Sequence, residues 1–180
     1  MTTSLATDRP TNGAAEWRAA CLDALAAIER GAIHRKIATM IDYYRSIMPP
    51  DRLPGRQHFE PMAIPLLLPN IWLVEVLDGP TPRFRYRLMG TRVAQAFSAD
   101  VTGRLLDDVH PGFAGNPMHG HLTGVVTTRR PTYRRGTPNA WPIDELQSLE
   151  RIFLPLAADG ATVDIVLALT VFIRRDGGEL

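Results

Sequence analysis

Three histidines near the middle of the chain are the side chains best suited to acid–base or metal chemistry. His119 and His121 lie two residues apart in a segment, Met118 to Thr128, whose pattern predicts a helix. Residues two apart on a helix point in different directions, so these two cannot bind one metal ion from the same helix face. His110 precedes Pro111 and either acts as a pH-dependent switch, since histidine titrates near physiological pH, or completes a turn.

The carboxylates and the single cysteine give little indication of catalysis. Asp107-Asp108 and Asp144-Glu145 are adjacent pairs in predicted loops, and neighbouring positions do not converge on one substrate. The sequence lacks the motifs of serine hydrolases, P-loop nucleotide-binding proteins, zinc peptidases and dinucleotide-binding folds. Cys21 is the only cysteine and can form neither an internal disulfide nor a structural zinc site by itself. We therefore expect a protein that is not an enzyme and that binds no metal.

Four arginines form a local basic cluster, Arg129, Arg130, Arg134 and Arg135. A nucleic-acid-binding surface would carry more cations with interleaved aromatic side chains, and only Tyr133 is present here. We interpret the cluster as a solvated edge. Over the whole chain, 20 Lys and Arg residues face 19 Asp and Glu residues, giving a net charge of +1. This balance provides no general attraction for nucleic acid or an anionic membrane, and we expect neither as a partner.

The composition is that of an ordinary globular domain. The chain has 180 residues, of which 45% are apolar and 22% charged, which excludes a collagen-like, coiled-coil or wholly disordered protein. One domain with one core is expected at this length. Residues 1–13 are predicted to be a disordered lead-in without the apolar region of a signal peptide. The longest apolar run, Ile165 to Ile173, is too short to span a bilayer, so we expect a cytoplasmic protein.

Residues 14–50 are predicted to form a helical extension. Apolar side chains recur there at steps of three and four residues, which is typical of a helix with one buried stripe. Gly31 marks a break between two stripes, and Pro49-Pro50 ends the second helix because proline donates no backbone hydrogen bond. The first stripe comprises Trp17, Cys21, Leu22, Leu25 and Ile28, and the second Ile33, Ile37, Met40, Ile41, Tyr44 and Met48.

The remainder of the chain predicts an antiparallel sheet interrupted by short helices. A proline-rich connector, Asp51 to Pro69, contains enough apolar residues to lie along the core. Arg83 to Leu88 alternates strictly and places Phe84, Tyr86 and Leu88 on one side. Hairpin joins at both ends of the helical insert indicate an α+β architecture, and the polar tail Arg174 to Leu180 is expected to be frayed. The predicted strands are Ile71–Leu77, Arg83–Leu88, Tyr133–Arg135, Leu149–Leu156 and Val163–Ile173.

Four segments in register resemble the stand-alone bacterial PAS family that is common in alphaproteobacteria. Leu68 to Val76 is similar to its first strand, and Arg83 to Thr91 to its second strand and helix entry. Asp100 to Leu106 is similar to the following turn, and Leu154 to Gly160 to the fourth strand and hairpin. The resemblance spans residues 51–172. It implies a PAS-like domain over residues 51–173, with a five-stranded antiparallel sheet and short helices on one face around a small cavity.

PAS domains sense ligands, redox state or light, and the resemblance implies a role of this kind. The photoactive flavin subgroup requires a reactive cysteine in the helix after the turn, and Cys21 lies outside that helix, which excludes this cofactor. Haem-binding PAS sensors use an axial histidine on the long helix before the third strand. Haem bound through His119 or His121 is therefore an open alternative, and the cofactor is otherwise unknown.

The pattern also predicts two surfaces with different roles. If the core is open, its apolar side chains line a small ligand pocket, and if it is closed they simply fill the interior. On the opposite sheet face, Arg83, Arg85 and Arg87 accompany apolar residues that something must cover. We expect the second helical stripe to cover them, in its own chain or in a partner chain of a homodimer. The predicted pocket residues are Tyr86, Leu88, Val93, Phe97, Trp141 and Leu154, and the predicted packing residues are Ile33, Ile37, Met40, Ile41 and Tyr44.

From the sequence we therefore expect a stand-alone sensory or regulatory module without an effector domain. It would act through a small apolar ligand, through contact with a signalling protein, or through both. The alternative is a structural dimerisation adaptor that binds no ligand.

Overall fold

The structure, a computed structural model, describes residues 12–137 and 146–180. The predicted break in the helical extension is confirmed, because one helix ends at Glu29 and a second begins at Arg35. The side chain of His34 caps the second helix by accepting a hydrogen bond from the Lys36 backbone N–H at 3.1 Å. The helices are α1 (Asn12–Glu29), α2 (Arg35–Ser46), α3 (Thr91–Phe97), α4 (Leu106–Val109) and α5 (Pro117–Thr128).

Five strands form one antiparallel sheet, which confirms the predicted α+β fold. Their order across the sheet is β2-β1-β5-β4-β3, with every neighbouring pair antiparallel. The proline-rich connector contains three short 3₁₀ helices, and Phe59, Ile64 and Leu67 from it are buried as predicted, whereas Leu66, also expected along the core, is 83% exposed. The strands are β1 (Ile71–Leu77), β2 (Arg83–Met89), β3 (Thr132–Gly136), β4 (Leu146–Leu156) and β5 (Ile165–Arg174).

The sheet is covered on both faces, so the described residues form two apolar cores instead of the one expected from the length. We call inner the face that packs on α3, α4 and α5, and outer the face that packs on α1 and α2. Side chains alternate along β5 because successive residues of a strand point to opposite faces. Val166 and Ala168 belong to the inner core, whereas Leu167 and Leu169 belong to the outer core. One strand therefore contributes to both cores.

The outer core shows which element covers the second sheet face. The α2 side chains Ile37, Met40, Ile41 and Tyr44 have no exposed surface and pack on the outer face of their own chain. Tyr44 also donates its hydroxyl to the backbone carbonyl of Pro155 at 2.7 Å, so the buried phenol is satisfied. Ile33, also predicted to pack there, is only partly buried at the edge of this core. The own-chain alternative is thus the arrangement observed.

A bulge in β2 overturns one pocket prediction. Tyr86 lies opposite Val74, but Leu88 lies opposite Leu73, so Arg87 is an extra residue between two paired positions. An extra residue breaks the alternation of side chains, and everything after it changes face. Leu88 is 43% exposed rather than buried beside Tyr86. The prediction that Leu88 lines the pocket is therefore wrong.

The C-terminal tail is packed against the protein, which corrects the expectation of a frayed end. The backbone N–H of Leu180 donates to the carbonyl of Phe172 at 3.1 Å, and Leu180 packs on the inner core. The Glu179 carboxylate forms ion pairs with Lys36 and with Arg92 at 3.2 Å, and the His34 Nε2 lies 3.3 Å from it. Because these partners belong to the start of α2 and to α3, the tail connects the helical extension to the inner-face helices.

Candidate functional site

The inner core contains only part of the predicted pocket lining. Tyr86 and Val93 are fully buried there, and the ring of Phe97 packs edge-on against Tyr86 with 5.8 Å between centroids. Leu154 lies in the outer core instead, because the neighbouring residue Phe153 occupies the inner face of β4. The prediction for Leu154 is therefore wrong. Trp141 lies outside the described residues.

A hydrogen-bonded Tyr–His pair lies within this aromatic surrounding. The Tyr86 hydroxyl and the His110 Nε2 are 2.8 Å apart, and both side chains are buried. The His110 ring also packs against Phe97 and Phe113, at centroid distances of 5.5 and 6.1 Å. Burial lowers the pKa of His110, and the nearby positive charge of Arg151 lowers it further. Burial also raises the pKa of Tyr86.

Arg151 is the most unusual side chain of the inner core. It is 3% exposed, and its guanidinium lies over the Phe153 ring at 4.7 Å and donates to the Met118 sulfur at 3.3 Å. Within residues 12–137 and 146–180, no carboxylate oxygen lies within 4.0 Å of this guanidinium. Burial, together with the charge of Arg134, lowers the pKa of Arg151 to about 10. Burying a charged group without an opposite charge is costly, so this position needs a physical reason.

The outer face shows how the same strand satisfies a buried charge when a partner is supplied. Glu150, also buried, accepts hydrogen bonds from the His34 backbone at 2.7 Å and the Tyr133 hydroxyl at 3.0 Å. It also forms an ion pair with Arg135 at 3.7 Å. The next residue along β4, Arg151, has instead another arginine, Arg134, directly opposite on β3. The oppositely charged pair Arg135–Glu150 and the like-charged pair Arg134–Arg151 are thus neighbours in the ladder, and they lie on opposite faces of the sheet.

Sequence reasoning missed Arg151, although a signal was present. The residue lies between Leu149 and Phe153, two apolar residues that alternation places on the same face of β4, and it is the charged position on that otherwise apolar face. Arg134 was interpreted as part of a solvated basic edge. Only the register of β3 against β4 brings these two arginines together, and sequence does not provide that register.

The histidines predict a pH dependence of stability in which the protein becomes less stable as the pH falls. An unfolded histidine titrates near its usual pKa of 6.5, whereas the pKa of folded His110 is lower. Between these two values the unfolded state binds more protons, so the free energy of unfolding decreases as pH falls from 7.5 through 6.5. Urea unfolding at pH 7.5 and 5.5 measures this difference.

His121 contributes with the same sign, because burial and the charges of Arg151 and Arg134 lower its pKa. A His110→Gln variant keeps a hydrogen-bonding partner for Tyr86 and is expected to show a smaller loss of stability between these two pH values. The His110→Gln/His121→Gln double variant should show a smaller loss still. An unchanged loss in the double variant would contradict the assignment.

The remaining candidate ligands for a cofactor, His119 and His121, lie on α5. The His119 ring packs edge-on against Phe84 and Phe113, at 5.9 and 5.1 Å. The part of the chain that the structure describes holds no group of three or more His, Cys, Asp or Glu residues placed to bind a metal ion. Haem binding through His119 or His121 stays an open alternative, for which absorbance near the Soret band is the test. Among the described helices, none combines the length and apolar character needed to cross a membrane.

Comparison with known proteins agrees with the architecture. The family model of the PAS domain matches residues 32–171, which includes α2 and the whole sheet except its last few residues. No curated protein matches the chain. The matched range covers well over half of the chain and contains both the five-stranded sheet and the inner-face helices that enclose the Tyr86–His110 pair and Arg151. The chain therefore belongs to the PAS domain family.

Proposed function

We propose that this PAS domain is a sensory module that binds a small ligand in its inner core, between the sheet and helices α3 to α5. The observation that carries this proposal is Arg151, a buried cation on the inner face with no acid beside it among the described residues. The Tyr86–His110 pair adds a second polar group within the same aromatic surrounding. Such a small number of polar groups in an apolar interior is typical of a small-molecule site.

The free-energy cost of burying the Arg151 charge favours a bound ligand over a site that is always empty. A buried charge without a counter-charge destabilises a fold by several kcal/mol unless it is neutralised or paired. An apolar side chain at the position of Arg151 would fill the space between Met118 and Phe153 without this cost. Packing alone gives no reason for an arginine at this position, whereas binding of a molecule by its guanidinium does.

Native mass spectrometry of the purified protein tests the proposal. We expect the folded protein to carry one small molecule whose mass disappears after acid denaturation. We expect an Arg87→Met variant to carry the same molecule, because Arg87 is an exposed arginine on the same sheet and does not belong to the proposed site. A folded protein whose mass equals that of the polypeptide alone would contradict ligand binding.

A second candidate function, contact with a protein partner, is favoured by a different observation. Two large apolar side chains of the connector, Met62 and Leu66, are 75% and 83% exposed. Leu66 borders a groove of about 450 Å³ that is also lined by Arg35 and Arg92. Exposed apolar side chains beside a groove are typical of a contact surface. This is the surface that we propose for a ligand-free adaptor.

The predicted homodimer belongs to this second candidate. The α2 stripe packs in its own chain, so a dimer would have to use another surface. Light scattering at high protein concentration tests the pairing, and a Leu66→Ser variant tests the surface. A monomeric wild-type mass at high concentration would exclude the homodimer.

A further inference from the structure

We infer that the inner-core ligand is a small monocarboxylate with an apolar or aromatic body, and that Arg151 and Arg134 bind its carboxylate. This inference rests on the proposed function and specifies the chemical class of the ligand. It is carried by the juxtaposition of two arginines on one sheet face, one of them buried, with no acid beside the buried one in the described part of the chain.

The strand register places the Arg134 and Arg151 side chains on the same face, where the Arg134 guanidinium also donates to the Thr137 backbone carbonyl at 3.5 Å. Arg134 and Arg151 are directly opposite each other in the β3–β4 ladder, and directly opposite residues share a face. Like charges in such a pair repel each other, and the repulsion is strongest where water is excluded. An anion between the two arginines turns this repulsion into attraction. The adjacent Arg135–Glu150 pair shows the same ladder with the negative charge built into the chain.

The other polar groups of the site do not supply the missing negative charge. Tyr86 and His110 are held toward their neutral forms, since burial raises the pKa of the phenol and lowers that of the imidazole. His121 is shifted in the same direction as His110. Among the described residues the charge at this place is therefore positive, and a ligand that carries a negative charge would complement it.

The geometry of arginine favours a carboxylate as the negatively charged group. A guanidinium presents two parallel N–H donors that match the two oxygens of a carboxylate. The guanidinium carbon of Arg151 lies 4.7 Å from the centre of the Phe153 ring, a contact that restrains the position of this fork. Of the two arginines only Arg151 is buried, so a monoanion matches the buried charge, whereas a doubly charged phosphate would require more buried positive charge.

The surroundings of the two arginines describe the rest of the ligand. Trp72, Tyr86 and Phe153 form a contiguous aromatic group, with centroid separations of 5.6 Å from Trp72 to Tyr86 and 5.5 Å from Trp72 to Phe153. The Trp72 indole N–H is already satisfied by Thr170 at 3.0 Å and is not available to a ligand. An apolar or aromatic body therefore fits beside the carboxylate better than a polar one.

The test compares acids with their neutral amides. Benzoate, phenylacetate and hexanoate are each added to the full-length wild-type protein, in parallel with benzamide, phenylacetamide and hexanamide. We expect at least one carboxylate to raise the melting temperature while its amide does not. In an Arg151→Met variant the affinity for that carboxylate should fall at least tenfold, and an Arg87→Met variant should bind as the wild type does.

A second readout needs no ligand. Because Arg151→Met replaces a buried charge with an apolar side chain of similar length, the ligand-free variant is expected to melt at a higher temperature than the ligand-free wild type. A lower melting temperature would show that Arg151 serves the fold instead, and it would overturn the inference. Thermal melting of both proteins after removal of small molecules makes this comparison.

The outcomes separate this inference from the proposed function. Equal stabilisation by an acid and its amide, or unchanged acid binding by Arg151→Met, supports a ligand site and overturns the carboxylate assignment. If none of the six probes binds, the assignment is also overturned, and native mass spectrometry then decides whether the proposed function survives. Absence of both probe binding and a copurified ligand overturns both.

Discussion

An Ile41→Asp variant is expected to lose the folded monomer. Ile41 has no exposed surface and lies at the centre of the stripe that α2 packs against the outer sheet face. A carboxylate at this position would be buried without a cation, so we expect a destabilisation of more than about 4 kcal/mol. The outer face, with Leu73, Leu154 and Leu167, would then be exposed and would favour association. Size-exclusion chromatography and urea unfolding measure the two effects.

Thr39→Asp is the matched control for this variant. Thr39 lies two residues earlier on α2, and its exposed hydroxyl bonds only to the Arg35 carbonyl within the described chain. The same charge is added to the same helix, yet we expect a change within about 1 kcal/mol because nothing charged is buried. If Ile41→Asp remained a stable monomer, the outer core would not depend on α2, and the helical extension would not be part of the folded domain.

Much of this outer core could be predicted from the sequence, because it depends on simple periodicity. Helical steps of three and four residues predicted that Ile37, Met40 and Tyr44 lie on one buried stripe, and all three are buried in the outer core. This pattern repeats over several residues and is uninterrupted. Such a repeat shows which side chains are buried even when the element that packs against them is not known.

Predictions failed where a single residue or a distant contact decides the outcome. Arg87 adds one residue to β2, and this bulge turns Leu88 to the surface without any signal in the alternating sequence. The tail is held by ion pairs from Glu179 to the start of α2, a contact across more than 140 residues. Local pattern contains no information on such a contact.

The candidate site was harder to predict than the fold for the same reason. Its groups come from β2, β3, β4 and the segment after α4, and none of the four segments carries a motif of its own. Tyr86 was predicted to be a lining residue because it lies in an alternating strand. Arg151 is a candidate ligand-binding residue because the sheet register places Arg134 opposite it and because no acid among the described residues lies beside it.

A Gly90→Ala variant is expected to destabilise the domain by about 2–4 kcal/mol, although it adds one methyl group. Gly90 joins β2 to α3, and its backbone N–H donates to the Ile71 carbonyl at 2.7 Å. A Cβ atom here would lie 2.4 Å from the Leu68 carbonyl oxygen and 2.5 Å from that of Pro69. Both contacts are with backbone, which cannot move aside as a side chain does, so α3 would be displaced from the inner core.

Gly120→Ala provides the opposite expectation within the same protein. Gly120 is exposed on α5, and a Cβ atom there meets nothing within 4 Å. Because alanine favours a helix over glycine, we expect a gain of up to about 1 kcal/mol. Urea unfolding of the two variants beside the wild type measures both changes. If Gly90→Ala were as stable as the wild type, close backbone packing would not fix α3, and the position of Val93 in the inner core would depend on side-chain packing alone.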